Sequence, residues 1–250
     1  MAITWLDGDC LLSDGAEGAA YCLVNPGMKP GRLVAVATLA ARSSLGGQVA
    51  SRLAIDHFVE GASKGAEQYD QEPVPPPDAG ARKSSSELIL EMAFKEANTC
   101  VYDFSHKLAA GGKMAAALFG LVVEENVASA GRVGNWSAYL WRSGQLFPFF
   151  EERKAVLDPA YTVGVGANAL VAVETASVPL TGDDIICATS TELNQAHQVD
   201  LAELLGALQN SGARCEALFS ALLGAERTPA FELLVQTGPE AVFLAHNMFF

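Results

Sequence analysis

The sequence has few basic residues and few histidines, and these shortages argue against several kinds of binding. Its 16 Lys and Arg residues stand against 29 Asp and Glu, which gives a formal net charge of −13. A surface of that charge repels phosphate backbones and anionic lipid headgroups, so we expect no nucleic-acid partner and no membrane partner. The histidines are far apart and form no ligand pair: His57, His106, His197 and His246. We therefore expect ordinary surface or interface roles for them rather than metal binding.

Paired cysteines and long apolar runs are also lacking. The five cysteines are scattered and none forms a C-x-x-C pair: Cys10, Cys22, Cys100, Cys187 and Cys215. They are typical of small core residues in a reducing cytoplasm. No apolar run approaches the roughly 20 residues that span a bilayer, and the N-terminus lacks a signal-peptide pattern. We therefore expect a cytoplasmic protein, with enough apolar residues for a core without disulfides.

The first third of the chain predicts strands followed by a helix. Apolar runs at 22–25 and 33–38 are separated by turn-forming Pro and Gly residues, which predicts two core strands. Gly46 and Gly47 then open a helix that we expect to end near residue 61. Residues 64–83 are rich in proline, glycine and charge, so we predict a mobile surface loop there. Because this loop joins two helices, we interpret residues 1–250 as a single domain.

A second helix has the clearest pattern in the chain. Ser84 and Glu87 have the spacing of a capping box, and Gly111 and Gly112 mark the end. Apolar residues recur at three- and four-residue steps and predict one buried face. They are Ile89, Ala93, Ala97, Val101, Phe104 and Leu108.

The second half of the chain predicts a run of antiparallel strands, two short helices and a final hairpin. We expect strands at 114–123, 126–133, 136–141, 145–150, 167–176 and 183–190, with a tight turn at Ser143 and Gly144. Asp200 can cap the first short helix, whose buried stripe is Leu201, Leu204, Leu205 and Leu208. The second uses Cys215, Leu218, Phe219 and Leu222. Gly238 and Pro239 turn the final hairpin, and strands grouped beside paired helices indicate an α+β domain.

Four segments share their apolar frame with one known family. They read VATLAARSSLGGQVASRLAIDHF (36–58), GKMAAALFGLVV (112–123), RVGNWSAYLWRSGQL (132–146) and TGDDIICATSTEL (181–193). They resemble, in order, V-A-D-G-M-G-G-x-x-x-G-E-V-A-S-x-x-A, G-T-T-x-x-x-A-L, H-V-G-D-S-R-A-Y-L-x-R-x-G-x-L and P-G-D-x-L-L-L-C-S-D-G-L. These belong to the metal-dependent Ser/Thr protein phosphatases of the PPM (type 2C) family. The resemblance covers about residues 13–235 and implies a four-layer αββα sandwich, in which two antiparallel sheets are flanked by helix pairs.

The same resemblance implies that the family's metal centre is absent. In the family, aspartates hold two Mg²⁺ or Mn²⁺ ions that generate the attacking hydroxide. At the matching positions this chain has Gly18, Thr38, Asn135, Ser190 and Thr228. Glycine supplies no ligand, and neutral hydroxyls or an amide cannot offset the charge of two dications. We therefore predict no Mg or Mn cofactor and no catalytic residues of the family type.

Trp136 and Ser137 replace the Ser and Arg that follow the aspartate in the family segment. A bulky indole at this position would fill space that a substrate phosphate once used. Alternatively, an exposed Trp136 would anchor a partner protein. Together with Asn135 and Thr38, these two residues form a candidate binding surface at the former active site.

The resemblance and its losses lead to three hypotheses. The first is a pseudophosphatase that binds or regulates a phosphoprotein, a kinase or an active phosphatase. The second is a divergent phosphatase with a relocated acidic metal site; its candidate ligands are Asp7, Asp9, Asp14, Glu17, Asp183 and Asp184. We expect the N-terminal acids to lie on a solvated turn and Asp183 to serve turn geometry. The third is a homo-oligomeric scaffold.

Overall fold

A computed structural model describes twelve stretches of the chain. They are residues 2–11, 19–24, 32–41, 44–71, 84–108, 114–124, 126–150, 164–182, 184–190, 193–208, 230–238 and 246–249. For the first two and the last two stretches, only the backbone is described. The strands are β1 Ala2–Leu11, β2 Ala19–Val24, β3 Leu33–Ala40, β4 Ala116–Glu124, β5 Val127–Val133, β6 Ser137–Arg142, β7 Gln145–Pro148, β8 Glu174–Pro179, β9 Ile185–Thr189, β10 Ala230–Gly238 and β11 His246–Phe249. The helices are α1 Leu45–Gln71, α2 Ser85–Lys107 and α3 Gln195–Leu208.

The strands form two antiparallel sheets. One has the order β1-β10-β9-β6-β7 and the other has the order β11-β2-β3-β4-β5-β8. The predicted C-terminal hairpin is wrong, because β10 pairs with β1 and β9 while β11 pairs with β2 in the other sheet. The expectation of a solvated turn for Asp7 and Asp9 is also wrong, since both lie within β1. Pairing between distant parts of the chain is invisible to a local sequence pattern.

Alternation along the strands divides the core into two layers. On β3, Leu33, Ala35 and Ala37 belong to the cluster between the sheets. Val34 and Val36 belong to the cluster beneath α1 and α2. Helix α3 lies against the other sheet, where Trp141 Nε1 donates to the Ala202 carbonyl at 3.0 Å. These contacts confirm the α+β sandwich with helices outside both sheets.

Helix α1 is ten residues longer than the sequence pattern predicts. The expected loop at 64–83 is wrong for residues 64–71, which are helical, and residues 72–83 lie outside the described part of the chain. Gly61 and Gly65 resemble helix breakers in the sequence, but they are packing positions. A Cβ on Gly61 would lie 2.8 Å from the Ala93 Cα, and one on Gly65 would lie 3.3 Å from the Ile89 Cα. Glycine therefore lets the two helices approach closely while α1 continues.

Helix α2 begins as predicted and ends with a less buried face than predicted. The Ser84 side chain accepts from the Glu87 amide, and the Glu87 side chain accepts from the Ser84 amide, which confirms the capping box. Phe104 and Leu108 are exposed, so the predicted apolar face ends at Val101.

Two further element boundaries differ from the prediction. Residues 167–173 are not a strand, and β8 begins at Glu174. The buried Asn98 side chain accepts from the Gly166 amide at 2.9 Å and donates to the carbonyls of Asn168 and Ala169. These bonds hold the segment against α2 instead of in a sheet.

Helix α3 begins at Gln195, where the Asn194 side chain accepts from the His197 amide, so Asp200 is interior and not a cap. Leu201 and Leu205 are buried as predicted, and the second short helix lies outside the described residues.

Paired charges fasten one end of the sandwich, which we call the anchored end (Arg32, Asp70, Glu124, Arg142 and Asp184). The fully buried Arg32 guanidinium donates to Asp70 on α1 and to Glu124 on β4, at 2.8–3.0 Å. Arg142 donates to both oxygens of the buried Asp184 at 2.6–2.8 Å, and to the Pro179 carbonyl. Since Pro179 ends β8 and Asp184 precedes β9, this arginine ties the two sheets together.

Among the described helices, none combines the length and apolar character that a membrane span needs.

Candidate functional site

Strand register brings several predicted ligand positions to the end of the sandwich opposite the anchored end. Thr38 on β3 pairs with Leu118, which pairs with Val133 at the end of β5. In the other sheet, Ser137 at the start of β6 pairs with Thr189 at the end of β9. Asn135 lies between β5 and β6, and Ser190 follows β9. We call this the vacated end, meaning Thr38, Leu39, Asn135, Trp136, Ser137 and Ser190.

The chain crosses from one sheet to the other at Gly134, and only glycine fits there. Its φ is +89°, and a Cβ would lie 2.7 Å from the Ala117 Cβ. The following Trp136 amide donates to the Gly134 carbonyl at 3.0 Å. This tight crossing fixes the direction of residues 135–137.

Trp136 lies in the core and not on the surface. Its side chain is 1% exposed, belongs to the cluster between the sheets and packs 5.7 Å from the Phe119 ring, centroid to centroid. The alternative of an exposed partner anchor is therefore wrong. A two-ring side chain occupies the interior where the family segment has a serine.

Thr38 lies on the opposite face of its sheet from Trp136. Alternation places Thr38 with Val34 and Val36 on the helix side, whereas Leu39 packs against the cluster between the sheets. Thr38 is fully buried, and its Oγ1 has no hydrogen-bond partner among the described residues. Thr38 and Trp136 therefore cannot belong to one accessible binding surface, which corrects the expectation from the sequence. Neither Thr38 nor Leu39 offers a carboxylate.

The remaining predicted positions differ in accessibility. Ser190 is buried, Ser137 is half-buried and Asn135 is exposed. Gly18 and Thr228 lie outside the described residues. Among the predicted site residues that the structure describes, Asn135 is thus the most open to a ligand.

Sequence reasoning missed a buried cation beside these residues. Arg132 on β5 is 6% exposed and donates through Nε and Nη2 to the Glu174 carboxylate at 2.9 and 3.0 Å. Its Nη1 donates to the Trp136 carbonyl, and its guanidinium lies 4.3 Å from the centre of the Phe150 ring. The signal in the sequence was an arginine where the family segment has histidine. The Arg132–Glu174 ion pair lies next to Trp136, so the Glu174 carboxylate is already engaged and is not free to bind a dication there.

The described side chains at the vacated end do not fit a family-type Mg or Mn centre. They supply hydroxyls, an amide, an indole and a guanidinium, and the Glu174 carboxylate nearby is engaged by Arg132. Hard dications need several free oxygen ligands with negative charge. No catalytic step through such a centre follows from these groups.

Only some of the candidate ligands for a relocated acidic metal site lie among the described residues. Asp184 is committed to Arg142 and to the Thr181 amide, so it is not a free ligand. Asp14, Glu17 and Asp183 lie outside the described residues. The backbone register places Asp9 opposite Glu232, and Glu232 opposite Thr189, so two acidic positions reach the vacated end.

Comparison with solved structures finds the same fold in several bacterial proteins. The Ser/Thr phosphatase Stp1 from Staphylococcus aureus has 13% identity and a TM-score of 0.65, covering 96% of this chain and 98% of that one. The Mycobacterium tuberculosis phosphatase PstP/Ppp has 14% identity and a TM-score of 0.55, covering 88% and 100%. PppA, described as a key regulatory component of the T6SS in Pseudomonas aeruginosa, has 16% identity and a TM-score of 0.62, covering 94% and 99%. No protein-family profile matches the chain, and no curated protein matches its sequence.

Proposed function

We propose that this chain, which has the fold of the PPM-type bacterial Ser/Thr phosphatases, is a pseudophosphatase that binds a phosphorylated protein without hydrolysing it. The observation that carries the proposal is Trp136, whose indole is buried between the sheets at the vacated end. A hydrophobic side chain stands where the family segment has a serine, and we expect it to fill space that metal-bound water and phosphate would need. The module would then act in Ser/Thr phospho-signalling by binding or by regulating a partner.

Charge supports the same proposal. Metal-assisted hydrolysis needs carboxylates that hold the ions and so generate a hydroxide near neutral pH. Thr38, Asn135 and Ser190 are neutral, and the nearby Glu174 carboxylate is paired with Arg132. One protein of similar fold is described as a regulatory component of a secretion system, which supports a regulatory role for this fold.

The first test is hydrolysis. The purified protein is incubated with Mn²⁺ and p-nitrophenyl phosphate, and separately with a phosphothreonine peptide, against a protein-free control. We expect phosphate release equal to the control with and without Mn²⁺. Robust Mn²⁺-dependent release from either substrate would refute the proposal.

The second test is binding. Fluorescein-labelled peptides with a central phosphothreonine or phosphoserine and degenerate flanks are titrated with the protein and followed by anisotropy. Unphosphorylated peptides of the same composition are the control. We expect phosphorylation-dependent binding that Asn135→Asp weakens, because the new carboxylate repels a phosphate at an exposed position. Equal binding of both peptide sets would contradict a phosphoprotein-binding role.

A divergent phosphatase is the second candidate function, and the row of Asp9, Glu232 and Thr189 favours it. If those acids hold a metal, the wild type releases phosphate with Mn²⁺ and Asp9→Asn abolishes the release. Asp56→Asn, at an exposed position on α1, is the matched control because it removes the same charge elsewhere. Absence of activity in the wild type would end this alternative.

A further inference from the structure

A mixed cluster of metal-ligating side chains lies on the seam between α1 and α2, away from the vacated end. It contains His57 and Glu60 on α1 and Glu96 on α2, and one ligand atom from each lies within 4.8 Å of the others. His57 Nδ1 is 3.0 Å from a Glu60 carboxylate oxygen. We call these three residues the seam cluster. The sequence did not reveal this cluster, because a search for paired histidines overlooks glutamate partners. One of the two glutamates also lies on a different helix from His57.

Glycine packing creates this convergence. A Cβ on Gly61 would lie 2.8 Å from the Glu96 Cβ, so the backbone of α1 approaches α2 directly beside Glu60. His57 and Glu60 are three residues apart and therefore point from the same face of the helix. The short distance between the helices brings Glu96 to that face.

One lysine now lies between the two carboxylates and offsets one of their two negative charges. Lys64 Nζ lies 2.8 Å from Glu60 and 3.0 Å from Glu96. The hydrogen bond with Lys64 lowers the pKa of Glu60, and the bonds to Glu60 and Glu96 raise the pKa of Lys64. Half of the Lys64 side chain is exposed, at 52%, and its long flexible stem can move into water. The cation that occupies the cluster is thus replaceable at small cost.

The donor set defines the class of ion. One imidazole nitrogen and two carboxylate oxygens suit a borderline dication such as Zn²⁺, which accepts three protein ligands plus water. We propose that the seam cluster is a binding site for a Zn²⁺-class dication, which displaces Lys64 and clamps α1 to α2. The site is separate from the vacated end and does not depend on the proposed function.

The experiment is calorimetric titration of the whole protein with ZnCl₂, using four proteins. We expect one Zn²⁺ bound by the wild type, and binding weakened at least about tenfold, or 1.4 kcal/mol, in Glu96→Gln. Lys64→Met should tighten binding, because it removes the competing ammonium without removing a ligand. Glu67→Gln is the matched control: it removes the same charge from an exposed position of α1 and should bind like the wild type.

Three outcomes would overturn the proposal. They are no Zn²⁺ binding by the wild type, wild-type affinity in Glu96→Gln, and Lys64→Met binding no tighter than the wild type. Zn²⁺ should also raise the melting temperature of the wild type but not of Glu96→Gln, since a ligand that binds only the folded state stabilises it. Phosphatase assays play no part in this test, so its failure and the failure of the proposed function are distinguishable.

Discussion

At the scale of single residues, the strongest prediction concerns Trp136. Trp136→Ser restores the family residue but removes a fully buried indole that packs on Phe119. We expect the free energy of unfolding to fall by about 3–5 kcal/mol, because a large cavity opens between the sheets. Urea denaturation measures the loss. We expect no Mn²⁺-dependent hydrolysis to appear, since the space is regained without any carboxylate.

Two variants bracket this result. Trp136→Phe should lose clearly less stability than Trp136→Ser, because a phenyl ring still fills part of the space. Asn135→Asp, at the exposed neighbouring position, should change stability by no more than about 0.5 kcal/mol. A loss below about 1 kcal/mol for Trp136→Ser would mean that the indole does not fill the core.

Residue identities at the vacated end could be predicted from sequence, but their faces could not. The motif frame located Asn135 and Trp136 but left open whether Trp136 is buried or exposed; in the structure Trp136 joins Ala138 and Leu140 in the cluster between the sheets. The face of Thr38 depends on a one-residue register, because a shift by one position moves every side chain of a strand to the other side. Arg132 was missed because its partner Glu174 is on a strand whose start the sequence did not reveal.

At the scale of elements, a pair of glycines tests helix packing. Gly61→Ala places a Cβ 2.8 Å from both the Ala93 Cα and the Glu96 Cβ, so α1 must move away from α2. We expect a net loss of about 1–3 kcal/mol, because overpacking outweighs the gain of roughly 1 kcal/mol in helix propensity. Urea denaturation of the variant measures the change.

Gly206→Ala on α3 is the matched control. There the nearest atom to a new Cβ is Trp141 Cζ2 at 3.5 Å, an ordinary contact. This change should therefore be neutral or stabilise by up to about 1 kcal/mol. If both alanines have the same effect, close approach of α1 and α2 is not the reason for Gly61.

The same glycines explain why helix boundaries were harder to predict than helix existence. Gly61 and Gly65 suggested an end to α1, although tertiary packing makes them favourable inside it. The capping box of α2 was predictable because all its groups lie within four residues of one another. Boundaries that depend on a distant partner, such as the segment held by Asn98, leave no local signal.

At the scale of the whole molecule, charges are paired at one end of the sandwich, while at the other end Thr38, Asn135 and Ser190 supply no carboxylate at the family's ligand positions. Arg32 and Arg142 each join parts of the chain that are far apart in sequence. The order of elements indicated an α+β domain, and the family resemblance implied the four layers. They could not reveal which sheet receives β11, or that Asp184 is buried against Arg142. Both depend on contacts between residues that are far apart in the sequence.

The last prediction tests the link between the sheets at the anchored end. Arg142→Met leaves the Asp184 carboxylate, which is fully buried, without its bidentate partner. We expect a loss of about 3–5 kcal/mol in urea denaturation, because the buried carboxylate loses its charged partner while the hydrogen bonds from Thr181 remain. The hydrogen bond to Asp184 raises the pKa of Arg142 further, so the guanidinium stays charged throughout the pH range of the assay.

Two further variants at position 142 distinguish the effect of the positive charge from the effect of the bidentate geometry. Arg142→Lys keeps the charge but cannot form the two parallel bonds, so it should recover only part of the loss. Arg142→Met combined with Asp184→Leu should be more stable than Arg142→Met alone, because no buried charge is left. Lys95→Met, at an exposed position on α2, is the control for removing one positive charge and should change stability little. If Arg142→Met costs no more than Lys95→Met, the bonds from Arg142 to Asp184 and Pro179 contribute little, and apolar packing holds this end of the sandwich together.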